Sequence, residues 1–244
     1  MNFRLLIEYD GTDYHGWQRQ KNGRTIQGEI ERALAKMTGQ QLILNGSGRT
    51  DAGVHALGQV ANFRCDTKLT PKIFQNGLNS LLNRDIVIRD CQQTGENFHA
   101  RYDAKSKRYR YRILNAPIPS AIHRRYAWFI RKKLDTDAMR AAVSHIMGKH
   151  DFAAFEGAGS PRAHTIRSVL NANFTESDHG HLHFEIEADG FLRFMVRNIV
   201  GTLTDVGLGK LAPDDFRRIL LSKDRNQAGI TAPPHGLFLV CVMY

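Results

Sequence analysis

Over the first ninety or so residues the apolar positions switch between a period of two and a helical period in a fixed order. That order restricts the fold more than any other feature of the chain. Residues 2–9 read as a strand. Thr25 caps a helix that carries Ile26, Ile30, Leu34 and Met37 on one stripe. Residues 41–45 and 57–64 read as strands, the second with alternating burial. Thr70-Pro71 opens a second helix, proline at its first position, with Ile73, Leu78 and Leu81. Residues 85–90 close the set as a strand. Strand, helix, strand, strand, helix, strand is the split βαβ, or ferredoxin-like, order.

The second half repeats this grammar loosely. Residues 106–114 and 125–130 read as strands, and residues 135–147 as a helix capped by Asp135. Residues 165–174 and 181–188 read as strands around a polar turn. Residues 192–208 form a long helix with Leu192, Met195, Ile199, Leu203 and Val206 on its core face. A short helix over 214–221 and a strand over 236–243 follow. The boundary falls near Ala104, giving a first domain over 1–104 and a second over 105–244. Residues 157–165, with Ser160, Pro161, Arg162 and His164, read as a mobile basic loop.

Charge points to a polyanionic partner. The 244-residue chain carries 34 Lys and Arg against 24 Asp and Glu, a net +10. Residues 100–133 hold eleven of the cations and one acid, Asp103, so this stretch alone accounts for the excess. Cys65, Cys91 and Cys241 are widely spaced and suggest neither a zinc knuckle nor a disulfide framework, which fits a reducing compartment. The chain starts directly in a strand-like run, with no signal peptide and no bilayer-length apolar segment, so it reads as cytoplasmic. His181 and His183 share a strand face, but no third ligand accompanies them, and they read as surface histidines.

Four segments carry chemistry. Gly46-Ser47-Gly48-Arg49-Thr50-Asp51-Ala52-Gly53-Val54-His55-Ala56 sets a carboxylate two residues from a guanidinium in a loop of small residues. Small residues let a flat partner approach the backbone, and a carboxylate beside a cation stays ionised, as a nucleophile or base requires. On composition alone, a glycine-rich turn in which Asp51 bonds its own backbone is the simpler reading. In Lys107-Arg108-Tyr109-Arg110-Tyr111-Arg112-Ile113, Tyr109, Tyr111 and Ile113 share one strand face and the arginines the other. Bases stack on an aromatic face and phosphates meet a guanidinium row, although core tyrosines with a solvated basic face give the same pattern. Arg197 lies beside the apolar stripe of its helix, in Met195-Val196-Arg197-Asn198-Ile199-Val200-Gly201. Leu237 follows Pro233-Pro234-His235-Gly236, a turn that leads into a core strand.

The string GRTDAGVHA, continued by Gln59-Val60-Ala61-Asn62-Phe63, resembles the active-site motif of the tRNA pseudouridine synthase A family. The likeness runs from Tyr9-Asp10-Gly11-Thr12 and Gly16-Trp17-Gln18 to the final strand; some family members have cysteine where this chain has Gly46. The resemblance implies an isomerase that converts uridine to pseudouridine at positions 38, 39 and 40 of the tRNA anticodon stem-loop by flipping the base. It implies a fold of two RRM-like halves with antiparallel sheets around a central cleft, working as a homodimer. Asp51 takes the place of the family's catalytic aspartate, as nucleophile or base. Tyr109 takes that of the tyrosine against the target uracil, and Arg197 that of the arginine paired with the aspartate. Arg49 would contact RNA near the flipped nucleotide, and Leu237 would lie against the substrate base. The partner is tRNA; no cofactor, metal or membrane is implied. A non-catalytic RNA-binding protein with two RRM-like halves leaves the GRTDAG loop unexplained, and a metal-dependent nuclease needs clustered acids that the sequence lacks.

Overall fold

A computed structural model describes residues 1–157, 159 and 164–244. Ala158, Ser160, Pro161, Arg162 and Ala163 of the expected basic loop lie outside the described residues. The chain forms two compact units, one of Met1–Lys105 with Phe238–Tyr244 and one of Ser106–Leu237.

In the first unit the elements are β1 (Asn2–Tyr9), α1 (Ile26–Thr38), β2 (Asn45–Gly46), β3 (His55–Arg64), α2 (Pro71–Leu81) and β4 (Ile86–Thr94). The second unit holds β5 (Ser106–Asn115), β6 (Trp128–Ile130), α3 (Thr136–Val143), β7 (Gly148–Asp151), β8 (Ile166–Ser177), β9 (His181–Ala188), α4 (Met195–Gly207) and α5 (Pro213–Ser222). The last strand, β10 (Leu237–Met243), returns to the first unit, where Phe238 and Leu239 pair with His55 and Ala56 of β3.

The first sheet runs β4-β1-β3-β10, with β2 also on β3. Thr25 caps α1 by accepting from the Gly28 N–H, and Thr70 caps α2 by accepting from Ile73. Ile26, Ile30 and Leu34 of α1 are fully buried. Phe3, Phe63 and Phe74 form an aromatic cluster, with ring centroids 4.8–5.3 Å apart. In the second unit the order is β5-β9-β8-β7, with β6 on β5. Its core face takes Tyr111, Ile113, Phe184 and Ile186 from the sheet and Met139, Ile199 and Leu203 from the helices.

Several elements differ from the sequence expectation. The sheets are mixed, because β10 runs parallel to β3 and β6 parallel to β5. Both parallel partners arrive after long connections, where a hairpin would have imposed the antiparallel sense. Residues 41–44 form no strand. The Leu44 N–H donates to the Glu31 carboxylate and its carbonyl accepts from Gln27, so α1 side chains take the place of a strand partner. Strand β3 is buried almost throughout rather than alternately. Its polar members are satisfied inside: Asn62 donates to Asn2 and accepts from Ala100, and Gln59 bonds Ser47 and Gly48. The helix expected over 135–147 ends at Val143 and tightens to a single turn before β7, with Gly148 at φ +87°. The long helix begins only at Met195, because Phe194 takes a left-handed conformation at φ +60°.

Candidate active site

The loop between β2 and β3 is held from beneath by the segment after β1. Trp17 donates its N–H to the Thr50 carbonyl at 3.1 Å, and Gly53 donates to the Tyr14 carbonyl at 3.3 Å. The Thr50 and Tyr9 hydroxyls meet at 2.7 Å, inside the core. Burial holds the Tyr9 phenol well above the usual tyrosine range, so it stays a neutral hydrogen-bonding group. Ser47 and Gln59 share a 2.6 Å hydrogen bond, and Gln59 donates to the Gly48 carbonyl at 2.9 Å. Asp51 closes the loop as its carbonyl accepts from Val54 at 3.1 Å.

Like Gly11, which packs under the Val54 carbonyl, Gly16 is a tight point of this support. It has φ +87°, and a Cβ there would lie 2.6 Å from the Thr50 carbonyl oxygen and 3.1 Å from the Asp51 carbonyl carbon. Only glycine accepts both that backbone and that approach. The loop is also braced from β3. His55 is buried, lies 3.0 Å from the Asp10 carboxylate, stacks on Phe238 at 4.7 Å and accepts from the Gly11 N–H. The result is a half-exposed Asp51 carboxylate on a loop whose backbone is fixed on both sides.

Arg49 is exposed, and among the described residues no ion pair joins it to Asp51. Nearness in sequence did not become an ion pair between the two side chains.

Tyr109, Arg197 and Leu237 belong to the second unit. Tyr109 sits on β5 at 7% exposure, edge-on to Phe191 at 4.9 Å. Tyr111 is fully buried and donates its hydroxyl to the Pro233 carbonyl at 2.7 Å, so it is a core residue and not a stacking platform. Arg197 Nε donates to the Ala232 carbonyl at 2.7 Å, and its guanidinium lies 4.9 Å from the centre of the Phe194 ring. The Ala232 N–H returns a bond to the Arg197 carbonyl at 3.1 Å. Arg197 therefore fixes the strap before Leu237 as well as carrying a charge. Gly201, one turn on, lets the Ile230 carbonyl of that strap reach the helix backbone. Arg225 completes the strap, donating to the Ala228 and Gly229 carbonyls and to Asn198. Burial holds the Tyr111 phenol well above its ordinary value, and the nearby Arg197 charge offsets part of this. Leu237 is 5% exposed.

The arginine row of β5 is not a bare phosphate grip. Arg108 is ion-paired to Glu187 at 2.8 Å, and Arg110 to Glu185 at 2.5 Å, each directly across on β9. Both strands are legible from their alternation but their register is not, so this cancellation was hidden. The supports at Gly16, Trp17 and His55 were also missed as functional residues; their only signal was membership of the quoted strings. Among the described residues no group of three or more His, Cys, Asp or Glu is placed to hold a metal ion, and no helix is long and apolar enough to cross a membrane.

The sequence profile described as tRNA pseudouridine synthase matches residues 5–103 and 142–244. The chain belongs to the tRNA pseudouridine synthase family. It is thereby related to isomerases. It is 48% identical to the tRNA pseudouridine synthase A of Thermoanaerobacter sp. (strain X514) over 243 residues, 100% of this chain and 99% of that protein. The same identity and coverage relate it to the tRNA pseudouridine synthase A of Acetivibrio thermocellus. A solved archaeal box H/ACA sRNP Nop10–Cbf5 complex is a distant likeness, with a TM-score of 0.35 and 12% identity over 84% of this chain and 42% of that one.

Proposed function

We propose that this synthase-family chain isomerises uridine to pseudouridine in tRNA, at positions 38, 39 and 40 of the anticodon stem-loop. The supporting observation is the end-to-end relationship to proteins named tRNA pseudouridine synthase A. In the reaction the bond from uracil N1 to the ribose C1′ breaks, the base turns, and C5 bonds to C1′. C5 gives up its proton and N1 gains one, so the mass is unchanged and nothing is oxidised.

Asp51 is the group that acts on the sugar, as nucleophile or as base. Its support is a carboxylate on a loop braced by Gly16, Trp17 and His55, since a reacting group must be held still before the substrate arrives. Tyr109 lies against the target uracil and Leu237 against the same base. Arg197 pairs with Asp51 in the working enzyme, and Arg49 meets the RNA beside the flipped nucleotide. These four roles rest on the motif resemblance. The order β4-β1-β3-β2 supports reading the first unit as ferredoxin-like, and two RRM-like halves around a cleft extend that reading. By the same resemblance the enzyme is a cytoplasmic homodimer.

Incubation of the protein with tRNA transcribed from [5-³H]uridine tests the reading, because forming the new bond expels the C5 hydrogen. Tritium release with matching carbodiimide-resistant pseudouridine marks in the anticodon stem-loop is expected. No release from any tRNA would end the proposal.

A further inference from the structure

The second unit carries an apolar slot that none of the roles above uses. Its volume is about 230 Å³; Leu114, Trp128 and Phe129 line it together with Ser120, His123, Arg124 and His235. That is room for more than a few waters, each of which takes roughly 30 Å³, and less than the roughly 300–1,000 Å³ of a drug-sized site. No carboxylate lines it. Ile118 and Ile122 beside it are 74% and 76% exposed.

A row of histidines and an arginine lies beside the slot. The His123 ring meets His181 edge-on at 4.7 Å, and His183 lies 6.4 Å further along β9. Across from His183 stands Arg112. On this sheet face the acids are confined to one end, where Glu185 and Glu187 pair with Arg110 and Arg108. At the slot end, His181 and His183 pair with Ser177 and Thr175 of β8 on one side, His183 with Arg112 of β5 on the other, and Asp178 lies in the turn after β8. Both strand histidines are held below the ordinary histidine range. Burial is the first cause; then His123, Arg112 and His179 act on His181, while Arg110, Arg112 and His181 outweigh Glu185 at His183. Held in the neutral form, these imidazoles offer ring N–H donors to an anion, and the positive charge beside the slot comes from Arg112 and Arg124. Tyr109 projects to the opposite face of β5, by strand alternation.

We propose that slot and rim together take one unpaired nucleotide of the bound tRNA, its base against Trp128 and its phosphate at the histidine–arginine rim. An apolar, aromatic-walled slot beside two arginines and imidazole N–H donors matches the two halves of a nucleotide, and unpaired bases are what proteins stack on in RNA. The inference rests on the tRNA reading above.

The test uses the full chain and a tRNA transcript carrying 4-thiouridine. Photo-crosslinks on Trp128 or Phe129 are expected, and Ser120→Trp, which fills the mouth, is expected to abolish them and raise the Kd about tenfold. If Ser120→Trp melts early, Arg124→Glu at the exposed rim is read in its place, with the same expected rise. A Kd within twofold of wild type, with crosslinks elsewhere, overturns the proposal. So does a variant that binds tRNA normally but sediments at a different mass, because the slot is then a contact between protein chains. A wild type that crosslinks at Trp128 but releases no tritium refutes the isomerase reading while leaving the nucleotide site standing.

Discussion

Gly16→Ala separates a positioning role from a merely structural one. Its φ of +87° costs an L-residue roughly 1–2 kcal/mol. In a protein of this size that lowers Tm by roughly 2–8 °C. The new Cβ also meets the Thr50 carbonyl oxygen at 2.6 Å, where ordinary contact begins at 3.4 Å. The loop must therefore retreat by about 0.8 Å, and it carries Asp51 one residue on. Misplacing a reacting group by that much costs about a hundredfold in rate. Gly39 is the control. It shares the left-handed backbone, at φ +69°, but has nothing within 4 Å of a Cβ. Gly39→Ala is expected to lower Tm by a similar amount and leave turnover alone. Thermal melts and steady-state tritium release on all three proteins measure both effects. Wild-type turnover in Gly16→Ala, or equal turnover losses in the two variants, would refute the reasoning.

Three further outcomes follow from the second unit. Tyr109→Leu removes the ring beside Phe191 and is expected to cut kcat/KM roughly tenfold or more, at about 1–3 kcal/mol per stacked base, while Tyr109→Phe retains tRNA affinity; equal activity of Leu variant and wild type contradicts a place at the base. Arg110→Glu sets two carboxylates face to face on β5 and β9, and is expected to cost roughly 1 kcal/mol of stability; the swap Arg110→Glu with Glu185→Arg restores it, and failure of the swap denies the pair a stabilising role. Burial and neighbouring cations depress His183 below its usual 6.5, so the unfolded chain takes up that proton first as pH falls. Stability is therefore full above about 6.5 and declines as pH drops through the folded value; His183→Gln is expected to flatten this limb in melts from pH 8 to 5, and an unaltered limb would contradict the assignment.

Local chemistry was the legible part of the sequence. Thr25, Thr70 and Asp135 cap the helices they were expected to open, because a cap depends on the next three residues alone. The alternation on β5 correctly separated tyrosines from arginines, but exposure of the tyrosines depends on what packs on them, Phe191 on Tyr109 and Trp128 with residues 233–236 on Tyr111, which is not written locally. Cross-strand partners were equally hidden: the pairing of Arg108 and Arg110 with Glu187 and Glu185 needs a register that hydrophobic pattern leaves open. The return of β10 to β3 is a long-range choice among apolar strands of similar composition. At the candidate site, GRTDAG marked Asp51, but the approach of Gly16 to Thr50 joins segments more than thirty residues apart. Phe194 at φ +60° defied its residue type, and it lies where Arg193 and Arg197 both pack on its ring.

The central claim is that a single carboxylate, Asp51, performs the chemistry. Asp51→Asn keeps the shape of the loop and removes the charge. Tritium release from [5-³H]uridine-tRNA by this variant, measured beside its tRNA Kd, addresses the claim directly. The expected result is a turnover loss of at least roughly a thousandfold with affinity retained. Turnover near wild type would contradict it.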